Sequence, residues 1–285
     1  ERKLVGNVPN YTQFCMSNTV AREKIVKFIA DYSEKASNVD YMHVWLGDAV
    51  NGHCECPLCT PHHPSDLYVK MLNRLEERLT EEGLDKTKII FISYTDTMWA
   101  PDTERIKNPE RFSLCFAPIT RTYSRTLRPD YMPRATTVPY VRNKNQANRP
   151  KDIDEHFAYL ADWKQVFGGS IIGFEYHSWS AHVPDISGLQ LARRVNEDVK
   201  VYKNFDVDGL IQDGSQRHFF PHGMVVYSYA RTMFDTSLDY DAIEKEFDGK
   251  GYGDFKSAVA ESVIESIKPV QDKYYELMND KAYIE

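Results

Sequence analysis

The chain has 285 residues, 42% of them hydrophobic and 27% charged, with a formal net charge of −7. That composition is globular and long enough for one large domain or two small ones. An acidic balance without a long basic block argues against nucleic acid or anionic membrane as partners, and no apolar run reaches the roughly 18 residues of a spanning helix.

The chain opens on Glu1 rather than Met, so a processed form or an excised fragment is expected. No signal peptide is visible, and the compartment stays open. Residues 1–16 read as irregular, with Gly6, Pro9 and Asn10 as breakers. Asn18 is placed to cap a helix running to about Ala36, with Val26, Ile29 and Ala30 inward. A strand follows over 41–47, where Met42, Val44 and Leu46 alternate with His43, Trp45 and Gly47. Asp48 lies just past it, before an Asn51-Gly52 turn and the run Cys54-x-Cys56-x-x-Cys59.

Ser65 is expected to cap a second helix, with Tyr68, Met71, Leu72, Leu75 and Leu79 at helical spacing and Gly83 as its stop. A second strand covers 88–94 and leads into Tyr94 and Asp96; a third covers 113–119, closes on Pro118 and leads into Arg121. Residues 122–150 carry no clear period and read as a long loop of the kind that is often functional. A third helix over about 153–167 stops at Gly168-Gly169, and a fourth strand from Ser170 ends at Glu175. A helix over 187–204 and a short strand over 208–211 follow, the latter leading into Gln212 and Asp213. Helices over 222–233, 239–247 and 252–281 complete the chain, broken at Gly249, Gly251 and Gly253.

Strands alternating with helices imply a parallel α/β sheet built from βαβ units. Five such units suit either a doubly wound sheet or a barrel lacking its first strands. Each strand ends in a polar or aromatic residue, as in barrel enzymes, and no glycine-rich phosphate loop follows any strand. The expectation is a partial TIM-like (β/α) barrel in one domain, with 235–285 as a helical C-terminal extension.

Three of the five cysteines lie within six residues, too close for an ordinary disulfide framework, so metal binding is expected. Four thiolates in a tetrahedron is the structural zinc pattern. His53, His62 and His63 are rival ligands; plain thiols, or a disulfide to Cys15, are the alternatives. Cys115, inside an apolar strand, reads as core.

Several motifs together carry a family resemblance: Phe14-Cys-Met-Ser-Asn18, Trp45-Leu-Gly-Asp48, the cysteine run, Ser93-Tyr-Thr-Asp-Thr97, Ala117-Pro-Ile-Thr-Arg121 and Phe174-Glu-Tyr176. In this order, over nearly the whole chain, they resemble domain of unknown function 4838. That domain is similar to the barrel of glycoside hydrolase family 163, whose described activity is retaining endo-β-N-acetylglucosaminidase action on N-glycans. The resemblance makes Cys15 the fourth zinc ligand. It implies a preceding N-terminal part of the same polypeptide, with this chain supplying strands four to eight. Asp48 and Glu175 would then end strands four and seven, where retaining barrel glycosidases carry their acid/base and nucleophile. Such a pair works at about 5–5.5 Å separation.

Tyr94, Asp96, Arg121, Tyr176, His177 and Asp213 are candidate substrate contacts, and Trp99 and Trp179 candidate sugar-stacking rings. Each has a plainer reading: Asp48 as a turn residue, Glu175 as an ion pair with Arg121, the tryptophans as loop anchors. The expected function is a carbohydrate-active hydrolase, with a non-catalytic glycan-binding or scaffold domain as the alternative.

Overall fold

The computed structural model describes residues 12–48, 52–127, 137–142, 150, 153–179, 185, 188–214, 222–249 and six helical positions between 265 and 276. The main elements are α1 (Thr19–Lys35), β1 (Tyr41–His43), α2 (Pro64–Glu81), β2 (Lys88–Ser93), β3 (Phe112–Phe116), α3 (Ile153–Val166), β4 (Ser170–Ser178), α4 (Leu189–Tyr202), β5 (Gly209–Gly214), α5 (Gly223–Phe234) and α6 (Tyr240–Phe247). The sheet order is β1-β2-β3-β4-β5, and β1–β2 and β2–β3 pair in parallel. A strand order that follows chain order is that of a (β/α) barrel segment, because a doubly wound sheet reverses its order at a switch point. The chain divides into two compact units, Glu1–Thr120 with Pro133–Ile172, and Arg121–Met132 with Gly173–Glu285.

In the first unit the core gathers around Phe91 of β2, with the rings of Tyr68, Phe112, Trp163 and Phe167 at centroid distances of 5.1–6.2 Å. Burying each such ring contributes about 1.5–3 kcal/mol. The α2 stripe Tyr68, Met71, Leu72, Leu75 and Leu79 is buried throughout, as its spacing requires. Asn18 caps α1 as expected: its Oδ1 accepts from the Ala21 N–H at 3.0 Å. Asn18→Ala should therefore cost about 1 kcal/mol, read as a lower urea midpoint at an unchanged m-value.

Several expected boundaries move: β3 closes at Phe116 rather than at 119, and β5 runs on to Gly214 rather than stopping at 211. The helix α2 starts at Pro64, not after Ser65, because proline presets φ at the first helical position and its missing N–H is no loss there. Ser65 is the second helical residue, and its hydroxyl donates to the Trp99 carbonyl. The strand β1 stops at His43: after one more bond, Val44 N–H to Ile90 carbonyl at 2.9 Å, the Gln13 amide takes over both backbone groups of Gly47 at 2.8 and 3.0 Å. In the opposite sense, β4 runs on to Ser178, so Glu175 sits three residues inside the strand rather than at its end. At α2's exit Gly83 adopts φ +71°, the left-handed stop that glycine permits.

In the second unit Leu191, Ala192, Val195 and Val199 of α4 pack with Met224 and Val225 of α5 and Tyr240 and Ile243 of α6. Gly214 closes β5 at φ +132°, and a Cβ there would lie 2.1 Å from the Ser178 carbonyl oxygen. The helix expected over 252–281 lies outside the described residues except for 265, 268, 269, 272, 273 and 276, which are helical. Among the described residues no helix is long and apolar enough to cross a membrane.

Candidate active site and metal centre

In the first unit Cys54, Cys56 and Cys59 leave the loop after β1, and Cys15 comes from the turn before α1. Their four sulfurs all lie within 4.8 Å of one another, and the Cys15 Sγ is 3.7 Å from both Cys56 and Cys59. Sulfurs held about 2.3 Å from one tetrahedral ion sit about 3.8 Å apart, so this spacing could take a metal without rearrangement. No disulfide joins these cysteines, and all five are free thiols. Burial and the neighbouring thiols push Cys15 up to about 12, and burial raises Cys59 as well. The Cys59 backbone N–H, aided by that of Leu58, brings Cys56 down to about 6. Four thiols this close cannot all ionise without a cation, so metal binding would release protons. Among the described residues no histidine joins the cluster. Cys115 is fully buried in β3, as expected of core.

The cysteine loop also organises its surroundings. His53, next to Cys54, is 6% exposed, and its Nδ1 lies 3.0 Å from Asp96 Oδ2. Asp96 sits in the 3-10 turn Thr95–Thr97 that follows β2, where Thr95 is held at φ 47°. A β-branched residue in that region is strained, and strain of this kind gathers at functional loops. Tyr140 brings its hydroxyl 3.5 Å from His53 Nε2. Arg142 donates to the Cys59 and His62 carbonyls, both at 3.0 Å. Trp99, 5% exposed, donates its indole N–H to the Val138 carbonyl at 2.7 Å, the geometry of a loop anchor. Tyr94 donates to Asp48 at 2.8 Å, and Asp48 is exposed. The cysteine loop thus meets loops from beyond β2 and β3, and Asp48 stands on the same strand exit.

The second unit holds a buried charge network. Arg121 spans two carboxylates, Nη1 to Glu175 Oε1 at 2.5 Å and Nη2 to Asp198 Oδ2 at 2.7 Å. Tyr202 also donates to Glu175 Oε1, and Tyr123 donates to Oε2 at 2.6 Å. Asp198 accepts from the Leu127 N–H at 2.7 Å, and His177 Nε2 is 2.9 Å from its Oδ2. With the Gln212 oxygen accepting from the backbone N–H groups of His177 and Ser178, its NH2 donates to His177 Nδ1 at 3.2 Å. Burial alone would raise both carboxyls, but Arg121 and then His177 outweigh it, so Glu175 and Asp198 lie below the usual carboxylate range. The unit therefore carries two buried carboxylates, both ionised, around one guanidinium.

Of the sequence candidates, this network gathers Arg121, Glu175 and His177. Tyr176 is 6% exposed, and its ring lies 5.5 Å from that of Trp179, which is 51% exposed. Asp213 is half-buried on β5. Asp48, Tyr94, Asp96 and Trp99 belong to the first unit, as do the four cysteines. Sequence reasoning missed Asp198, Tyr123 and Tyr202, and weighed His53 only as a metal ligand. Asp198 had a signal: 191, 195, 198 and 202 form one helical stripe, and a carboxylate on a stripe otherwise apolar or aromatic must be paired. Tyr123 had none, since it lies in an aperiodic loop.

A family model for a domain of unknown function, DUF4838, matches residues 4–264. The chain belongs to the DUF4838 family. Among curated proteins, the DUF4838 chain is similar over short stretches to tryptophan–tRNA ligases. It is 52% identical to that of Wolinella succinogenes over 50 residues, 18% of this chain and 15% of the enzyme. For Oceanobacillus iheyensis the figures are 33% over 94 residues, 33% of this chain and 27% of the enzyme. The chain thus covers less than a third of these relatives' length, and stretches so short carry neither fold nor activity across. No solved structure matches the DUF4838 chain.

Proposed function

We propose that this DUF4838 chain is a retaining carbohydrate-active hydrolase in which Glu175 is the ionised carboxylate. One observation carries the reading: Glu175 stays charged although fully buried, because Arg121 and His177 overcome its desolvation. A retaining mechanism needs one carboxylate ionised at working pH to attack or stabilise the sugar cation, and a second to protonate the leaving oxygen. The resemblance to glycoside hydrolase family 163 supports glycans containing N-acetylglucosamine as substrates. The exposed Trp179 beside Tyr176 would offer an aromatic face to a sugar ring. The metal we assign to the four cysteines is zinc in a structural role, since four thiolates leave no open position for water. We read the strands as the later part of a barrel, whose earlier strands a preceding segment would add beside the edge strand β1.

One observation favours the second reading, a non-catalytic glycan-binding or scaffold domain. The Glu175 oxygens already accept from Arg121, Tyr202 and Tyr123, and the side chain is 0% exposed. Hydrolysis of an aryl N-acetylglucosaminide by the parent chain, lost at least about 10³-fold in Glu175→Gln while the circular dichroism spectrum is kept, is the outcome expected of the enzyme. A variant that retains most of that activity removes Glu175 from the chemistry. A parent that binds chitooligosaccharide without cleaving it establishes the scaffold reading instead.

A further inference from the structure

We propose that the cleft between the start of α1 and the first turns of α2, beside the cysteine loop, binds a small oxyanion. The cleft encloses about 240 Å³, ample beside the roughly 10–15 Å³ that a single water requires. Ser17, Thr19 and Arg22 line it together with His62 and Lys70. Arg22 is fixed by Nη1, which donates to the Met16 carbonyl at 3.1 Å, while its buried Nε meets no partner. A guanidinium anchored by Nη1 leaves Nη2 as a charged donor of the kind that suits a carboxylate, sulfate or phosphate. Lys70 is exposed, and no carboxylate among the described residues pairs with it or with Arg22. The first turn of the 17-residue α1 contains no acidic residue, and Asn18 satisfies only the Ala21 N–H, so the positive end of that helix is not offset.

Two acidic residues also line the cleft. Asp66 accepts at Oδ1 from the Thr103 and Glu104 N–H groups and the Thr103 hydroxyl at 2.8–3.1 Å, and Glu104 is the second. The two balance Arg22 and Lys70 in number, so affinity in the millimolar range is expected rather than tight binding. The same walls would favour an oxyanion carried on a molecule with hydroxyl donors for the acidic side. The inference is independent of the hydrolase reading.

The test titrates the metal-loaded protein with sodium sulfate and, separately, sodium acetate, each against sodium chloride at matched ionic strength, following backbone amide NMR shifts. Saturable shifts centred on Thr19–Arg22, weakened about tenfold in Lys70→Met and in Arg22→Met, are the expected result. Sulfate binding above acetate indicates a tetrahedral group, and the reverse a carboxylate. Lys70 is exposed on its helix, so Lys70→Met should leave the fold intact. The site is overturned if sulfate and acetate both behave as chloride does, or if Lys70→Met binds them as tightly as the parent.

Discussion

If the four-cysteine centre holds the zinc we propose, removing that zinc is expected to lower the thermal midpoint by more than about 10 °C. The cause is the number of elements that the cluster joins. Cys15 precedes α1, the other three ligands follow β1, and the cysteine loop reaches Asp96 through His53 and residues 140–142 through Tyr140 and Arg142. Structural zinc in small peptides contributes about 10–16 kcal/mol, comparable with the whole net stability of about 5–15 kcal/mol of an ordinary domain. Without the ion, four thiols lie together with no cation between them, and the loop loses what fixes its path. Calorimetry on protein stripped by chelator, with zinc content measured alongside, checks the effect. Hydrogen exchange should rise first in 52–63, 94–99 and 137–142. An unchanged midpoint after complete metal loss, or an absence of bound metal in the purified protein, would sink the idea.

The sequence carried the architecture because periodicity reports burial directly. The α2 stripe and the apolar run of β2 can be satisfied only by a helix and a buried strand, and both appear within a residue or two of expectation. The cysteine set was equally legible, since three thiols in six residues have few other uses. The errors have local causes. The end of β1 depends on a side chain distant in sequence, Gln13, bonding Gly47, and no window of residues contains that information. The start of α2 turned on proline prevailing over serine at its first turn. The buried network was half visible: Glu175 lies within an apolar strand and Arg121 a few residues beyond another, whereas Asp198 sits inside a helix and Tyr123 in an aperiodic loop. Pairings of this kind are fixed by tertiary contact alone.

That network supports the last prediction, the loss of Arg121. Arg121→Met should cost about 3–5 kcal/mol at neutral pH, because it strands two buried carboxylates that accept charged hydrogen bonds at 2.5 and 2.7 Å. Lysine should restore little, since a single ammonium cannot reproduce a fork spanning Glu175 and Asp198. The pH dependence separates this cause from lost packing. In the parent both carboxyls lie below their ordinary values of about 4. A depressed folded-state pKa contributes stability that is present above the unfolded value and lost as pH falls through the folded one. The parent should therefore hold its stability down to about pH 4 and lose it below. In Arg121→Met the same carboxyls face burial and each other without the cation, which pushes their pKa upward. Acidification then relieves the variant by protonating them, so the gap in urea midpoint between parent and variant should narrow from pH 7 towards pH 5. A gap that stays constant across that range would assign the loss to packing, and a variant matching the parent at every pH would remove the network from the stability of this unit.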